Sequence, residues 1–418
     1  MKRKKIFLTT LILVMLIGGV RICFLAKNAK MEDKEQTISK EKISLDDEKN
    51  MIYLDNLTAD NTQLNNEKKE IDFDSSLNEI IDEPVELSEY DRHIDTRNED
   101  EIVISFAGDI LFDPNYSAYS SYITRGKNIN TCFSNEVLET MRSADIMMLN
   151  NEFPYSDRGK PLPDKTYTFR APVDSVSLLD EMGVDIVSIA NNHMYDYGSD
   201  AFTDTIDTLK SDNMPFVGGG YDIEEATKPY VFEANGKTVA FLGATQIERN
   251  ANPDTKGATD TTPGVFRCFD SARLIEEIKE AKSKYDFVIL YVHWGTESTD
   301  VLDWAQPYQA KEYVEAGVDA IIGDHPHVLQ GITYMDDVPI IYSLGNFWFN
   351  SKSLDTCIAT LTIDCTENKI KSFRFIPCTQ TNMKVSKLDG AEKQRVIGYM
   401  RTISSGVTID EDGIITKK

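Results

Sequence analysis

Apolar residues are distributed along this chain in three ways. From 6 to 20 they run without a break; Arg21 interrupts them, and 22–26 extend the run. From 27 to 100 they occur only as short patches, such as 51–54, among Asp, Glu, Lys and Asn. From Glu101 onward, short β-branched or apolar runs alternate with stretches whose apolar positions recur at helical spacing.

The third regime predicts strands over 102–107, 146–149, 184–190, 216–218, 238–243, 287–292, 320–323, 340–344, 358–363 and 370–376. It predicts helices over 135–143, 175–182, 201–211, 271–283 and 305–316. Asp270 is placed as an N-cap, and Gly183 and Gly317 stand where helices stop. Strand alternating with helix implies an α/β domain with a largely parallel arrangement. Turns near Glu367–Asn368 and 410–413 make the late strands antiparallel. The domain is placed at 101–385, with a C-terminal helix and hairpin over 386–418 packed on it.

The first regime follows Lys2, Arg3, Lys4 and Lys5 and is about 21 residues long, close to the ~20 that cross hydrocarbon as a helix. No small-x-small cleavage site follows it, which favours an uncleaved signal-anchor over 1–26 above a cleaved signal peptide. The basic residues place the N-terminus in the cytoplasm and the main domain outside, as a single-pass protein of the cell membrane. Arg21 would reach to the outer interface. The second regime, 27–100, has high charge and little to bury, and is expected to be an acidic disordered stalk, with His93 solvated in it.

Composition narrows the partners. The chain has 418 residues, a formal net charge of -25 and a pI near 4.6, which excludes nucleic acid as a partner. An anionic substrate would be repelled by the average surface, so its site must supply positive charge through metal ions or local Arg and Lys. The six cysteines form no CxxC pair, and no cysteine zinc site is expected. Cys357 and Cys378 flank the hairpin at 367–368 and would stand about opposite each other, which leaves a cross-strand bridge open.

The chemistry lies at the strand ends, where open α/β sheets bind ligands. Successive strands finish in Gly108-Asp109, Asn150-Asn151-Glu152, Asn191-Asn192-His193, His293-Trp294-Gly295, Asp324-His325-Pro326-His327 and Gly345-Asn346-Phe347. Four of the five histidines fall in this set. A lone residue of this kind is usually a cap. Repeated at strand after strand, carboxylates, imidazoles and an amide carbonyl form a hard-to-borderline site suited to Mn, Fe or Zn. Pro326 would hold an extended turn that aims both flanking imidazoles into one pocket. No P-loop, GxGxxG or Ser-His-Asp elbow is present, and Gly218-Gly219-Gly220 reads as a strand-to-loop turn.

The ordered set GDI, NNE, ANNHMYDYG, HWGTE, GDHPHVLQG and SLGNF resembles the CapA family of poly-γ-glutamate capsule biosynthesis, within the metallophosphatase-like superfamily. The resemblance implies a metallophosphatase-like sandwich of two β-sheets flanked by helices. It implies one or two divalent ions held by Asp109, Glu152 as bridging carboxylate, Asn192, His293, His325 and His327. His193 takes the place of the proton-donating histidine, with Asn191 and Asp196 as further catalytic candidates. Arg170, Trp294 and Asn346 are the candidate substrate contacts, Glu297 a candidate to orient an imidazole, and Phe347 a candidate wall. Leu111 departs from the pattern, because phosphatases of that superfamily carry His there, and Glu152 replaces an Asp.

The function so implied is synthesis, export or anchoring of poly-γ-glutamate or a similar anionic envelope polymer, with hydrolysis or transfer at a phosphoester or γ-glutamyl amide bond. Membrane synthase subunits are the implied partners. An extracellular phosphoesterase and a non-catalytic, metal-stabilised scaffold are the alternatives.

Overall fold

The computed structural model describes residues 89–247 and 255–418. The expected anchor and most of the expected stalk lie outside them. Among the described residues no helix is long and apolar enough to cross a membrane. The last twelve positions of the expected stalk, 89–100, include ordered structure. Asp91–His93 pairs in parallel with Tyr230–Ala234 as an edge strand, and Tyr90 Oη donates to Glu225 Oε1 at 2.9 Å. An edge strand needs only backbone partners on one side, so three polar residues joined the sheet without an apolar signature.

Two large sheets make the sandwich, beside a two-stranded one that pairs Gly219–Gly220 with Gly264–Val265. In the larger, Glu101–Ile110, Ile146–Asn151, Ile186–Ser188 and Phe216–Val217 are parallel neighbours. On the other flank of Glu101–Ile110 come Leu354–Asp364 and Lys369–Thr381, both antiparallel to their neighbours. In the smaller, Lys237–Thr245, Phe287–His293, Ala320–Asp324 and Val338–Ile341 run parallel. Tyr230–Ala234 and Ile332–Met335 flank them antiparallel.

Strand alternation builds the interior. Ile102, Ile104 and Phe106 share one face of their strand and meet Phe241, Ile289 and Ile322 from the opposing sheet. The outer face of the larger sheet is covered by Asn135–Arg142, Ser177–Met182 and Ser199–Ser211, through Leu138, Leu179 and Phe202. Ala272–Lys284 and Ala305–Ala316 cover the outer face of the smaller sheet, through Leu274, Ile278 and Tyr313. The result is the helix–sheet–sheet–helix sandwich. Parallel strands such as Phe287–His293 are buried on both faces, which is why they read as unbroken apolar runs.

One strand differs from the sequence expectation, while the expected C-terminal helix and hairpin are present. The strand expected at 340–344 ends at Ile341, and the chain then leaves the smaller sheet. Asn346–Trp348 joins the larger sheet in parallel beside Glu101–Ile110. At the C-terminus, Gly390–Ile403 buries Val396, Ile397 and Met400 in the inter-sheet core. The hairpin Val407–Ile409 with Ile414–Lys417 extends the larger sheet by pairing with Lys369–Thr381.

Cys357 and Cys378 are both free thiols. Cys378 pairs in register with Thr356, so the two cysteines sit one residue out of step and face opposite sides of the sheet. Cys357 belongs to the inter-sheet core and Cys378 to the helix-side core.

Candidate metal centre

The parallel strands of both sheets finish at one edge of the sandwich, and their last residues meet there. Asp109 stands in register with Asn150 on one side and Asn346 on the other, which forms a polar row across three parallel strands. Glu152 follows Ile146–Asn151, and Asn192 and His193 follow Ile186–Ser188. From the facing sheet, His293 stands in register with Asp324, and His325 and His327 continue from it. Asp109, Glu152 and Asp324 are wholly buried. Gly108 is required for this packing: a Cβ there would stand 1.8 Å from the Gly345 carbonyl oxygen, which accepts the Asp109 N–H at 3.2 Å.

Two corners are built on either side of Glu152. In one, His293 Nε2 lies 2.8 Å from Asn192 Oδ1, 3.0 Å from His325 Nδ1 and 3.7 Å from Glu152 Oε1. His293 Nδ1 faces Asp324 Oδ1 at 2.9 Å; with the proton on Nδ1, the Nε2 lone pair is aimed at the corner. In the other, His327 Nδ1 lies 3.1 Å from Asp109 Oδ2 and 2.8 Å from Asn346 Oδ1. Ligand atoms of Glu152, His293 and His325 all lie within 4.8 Å of one another, as do those of Asp109, Glu152 and His327. The backbone is strained where it delivers the imidazoles. His325 has φ 92° and His327 φ 59°, in place of the extended turn expected around Pro326. Such left-handed conformations cost on the order of 1–3 kcal/mol each and persist where the surroundings over-determine them.

Electrostatics distinguish the corners. Burial pushes His293 down to about 3, against the pull of Asp109. Burial, with His293 and His327 nearby, also holds His325 well below the usual range. Burial would depress His327 too, but Glu152 and the hydrogen bond to Asp109 outweigh it and hold it up to about 9. Burial and the charge of Asp109 push Glu152 well above the usual carboxylate range. Burial opposes ionisation of Asp109, yet His327 and His293 win and keep it below its ordinary value.

The donor set fits a divalent cation. Both carboxylate oxygens of Glu152 and Oδ2 of Asp324 are buried with no hydrogen-bond partner. A native fold rarely leaves such atoms unsatisfied unless an ion or water serves them. Oxygen and imidazole donors of this mix suit Mn, Fe or Zn.

His193 faces the same space. Its ring stacks on Phe169 with centroids 4.0 Å apart, and its Nε2 stands 3.9 Å from Glu152 Oε1. Its Nδ1 lies 2.7 Å from Asp196 Oδ2. Asp196 also accepts from the Phe169 N–H at 2.7 Å and from Lys165 Nζ at 2.6 Å. Burial holds His193 below the usual imidazole range, opposed by Asp196.

The other residues singled out in the sequence fall in different places. Asn191 sits within the cluster, but its amide donates to Asn150 Oδ1 and Asn151 O and its Oδ1 accepts from the His193 N–H, which makes it a brace. Asn346 lies deep in the His327 corner, with 1% of its surface exposed, and not at a rim. Arg170 lays its guanidinium over the Tyr197 ring at 4.3 Å and donates to Arg158 O, directed along its own loop. Trp294 is no substrate contact: it is wholly buried among the helices behind the smaller sheet, and its Nε1 donates to Tyr342 O at 2.9 Å. Phe347 packs on Phe133, and it is Phe349 that meets His327, with centroids 5.0 Å apart. Glu297 is exposed and adds negative charge near Glu152 and His327.

One residue of the centre carries no sequence signal of its own, and a second shows its part only in the structure. Lys165 lies in an aperiodic polar loop, yet its side chain is 6% exposed and its Nζ bonds both Asp196 and Asn192 O. Asp324 was visible as a strand end; only its pairing with His293 gives it a part.

The fold and this edge define an α/β sandwich with a buried carboxylate–imidazole centre suited to divalent ions. The family described as "Bacterial capsule synthesis protein PGA_cap" matches residues 103–351, and the chain belongs to it. All the residues of the two corners fall within that span. The chain is 32% identical over 259 residues to the PGA biosynthesis protein CapA of Bacillus subtilis, a match covering 62% of this chain and 66% of that protein. It is 31% identical over 220 residues to the capsule biosynthesis protein CapA of Bacillus anthracis, covering 50% of this chain and 52% of that one. The chain therefore spans less than two thirds of the length of these relatives. Among solved structures, a phosphatase from Mycoplasma pneumoniae aligns with a TM-score of 0.42 and 15% identity, over 67% of this chain and 94% of that one.

Proposed function

We propose that the protein acts in the synthesis, export or anchoring of poly-γ-glutamate or a similar anionic envelope polymer, as a divalent-metal-dependent hydrolase or transferase. Family membership supports the polymer class. The observation that carries the catalytic part is the Glu152 carboxylate. It is buried with both oxygens unpartnered, between two ligand corners and within 3.9 Å of an oriented imidazole. Asp109, Glu152, His327, Asn192, His293 and His325 would hold the ions. A bound ion would polarise a phosphoester or γ-amide bond and acidify a water molecule. It would also supply the positive charge that a chain of net charge -25 lacks for an anionic substrate.

The remaining steps belong to this chain's own side chains. Asp196 accepts from His193 Nδ1, which leaves Nε2 to take or give a proton on the side facing Glu152. Lys165 neutralises Asp196 and ties the covering loop to the Asn192 carbonyl. Phe169 holds the imidazole plane. A purely structural ion has no use for such an oriented proton carrier, which is why catalysis is preferred over a scaffold.

The basic residues 2–5 and the apolar run 6–26 support a single-pass anchor that holds this domain outside the cell membrane, within reach of membrane synthase subunits.

The test is turnover by the full-length, Mn(II)- or Zn(II)-loaded chain on γ-glutamyl oligomers and on a generic aryl phosphate. The expected result is metal-dependent cleavage or transfer of the γ-glutamyl substrate, reduced at least about 100-fold in His193→Ala. Turnover of the aryl phosphate alone would favour an envelope phosphoesterase. Bound metal with no turnover of either substrate would support the scaffold.

A further inference from the structure

We propose that Asn346 is a metal ligand, its side-chain oxygen completing the ion position formed by Asp109, Glu152 and His327. The inference rests on the metal reading above and gives Asn346, placed by the sequence reading among the substrate contacts, the role of a donor instead. Without it that corner is poor. Leu111, where a second imidazole was expected, is wholly buried in the apolar helix-side core and offers no donor atom. Asp109, Glu152 and His327 then supply three donors between them. A buried dication held by three side chains, one of them shared with the neighbouring corner, is under-coordinated for Mn or Fe.

The chain path fills the gap. After Val338–Ile341 the backbone leaves the smaller sheet, turns at Gly345 with φ 68°, and enters the larger sheet as Asn346–Trp348. Its register sets Asn346 beside Asp109 on adjacent parallel strands, and side chains in register project to the same face. The crossing is possible because Gly108 has no side chain where the Gly345 carbonyl passes. Asn346 is 1% exposed, and its Oδ1 stands 2.8 Å from the His327 nitrogen that also faces Asp109 Oδ2 at 3.1 Å. Asn346 Oδ1 and Asp109 Oδ2 thus gather about one ring nitrogen of His327, and ligand atoms of Asp109 and His327 lie within 4.8 Å of the Glu152 carboxylate, whose oxygens are unpartnered. A neutral amide oxygen there adds a ligand without a further negative charge beside Asp109 and Glu152.

The competing role is that Asn346 only accepts a hydrogen bond from His327, and the experiment separates the two. Mn(II) uptake by the full-length chain is measured by elemental analysis and calorimetry, and coordination by the visible spectrum of the Co(II)-loaded protein. The wild type is expected to take up two equivalents. Asn346→Leu is expected to weaken one of them at least about tenfold and leave the other unchanged. It should also alter the Co(II) ligand-field spectrum, which loss of a hydrogen bond alone would not do. Asn346→Asp, which keeps an oxygen in place, is expected to restore uptake, and it carries the test if the leucine variant fails to fold. Two equivalents bound by Asn346→Leu with wild-type affinity and spectrum would overturn the assignment and leave the metal reading intact. No uptake by the wild type would overturn both.

Discussion

Within one strand, Glu101–Ile110, the chain passes from residues that hold the sandwich together to one whose burial works against it. Ile102, Ile104 and Phe106 are wholly buried and apolar, and each contributes the transfer free energy of its hydrocarbon surface. Asp109, three residues on, is equally buried and keeps its charge by virtue of His327 and His293. The same change occurs between Met148 and Glu152, and between Tyr291 and His293. Burial of the first kind explains the fold. Burial of the second kind, with carboxylate oxygens unpartnered, has no stabilising account within the protein alone. On the proposed reading, the edge is kept for the ions it would hold.

The comparison can be broken from either side. The largest effect is expected in the apolar half, where Phe106→Ala should cost about 3–5 kcal/mol in denaturant unfolding. Metal stoichiometry should stay unchanged in the same variant, because Phe106 faces the inter-sheet core. In the polar half the sign should reverse. Glu152→Gln should stabilise the ion-free protein by about 1–3 kcal/mol, because a neutral amide removes a buried, unpartnered carboxylate. The same change should abolish the rise in Tm produced by Mn(II) or Zn(II). Loss of stability in ion-free Glu152→Gln would mean that Glu152 already serves the fold.

A more gradual effect, smaller per pH unit, should follow pH. His327 is raised in the folded state from 6.5 to about 9. The proton it holds therefore contributes stability that is fully present below about pH 6.5 and lost as pH rises through about 9. In the ion-free protein this decline should approach about 1.4 kcal/mol per pH unit within that window. Metal loading should flatten it, because the ion replaces the proton. A flat ion-free profile between pH 6.5 and 9 would remove His327 from the Asp109 corner.

Much of the centre was legible because parallel strands share a direction. Once the apolar runs were read as strands, Asp109, Glu152, Asn192, His293, His325 and His327 had to emerge at one edge, and they do. What escaped the sequence depends on long-range paths or on polar contacts without periodicity. The 340–344 run reads as one strand, and nothing local in it tells that the chain changes sheets and sets Asn346 beside Asp109. Lys165 sits in a loop whose course is fixed by Asp196 and the Asn192 carbonyl, both far along the chain. Trp294 follows a proposed ligand in sequence yet faces the opposite side of its sheet, since successive strand residues alternate. Asp91–His93 is too short and too polar to announce a strand before its partner is known.

Because every reading here depends on cations meeting at the carboxylate between the two corners, locating those cations is the most direct test. Anomalous X-ray diffraction from Mn(II)-loaded crystals should give density within coordination distance of both Glu152 oxygens, one peak toward His293 and His325 and one toward Asp109 and His327. Anomalous density confined to other residues, or none at Glu152 in crystals that hold Mn(II), would contradict it.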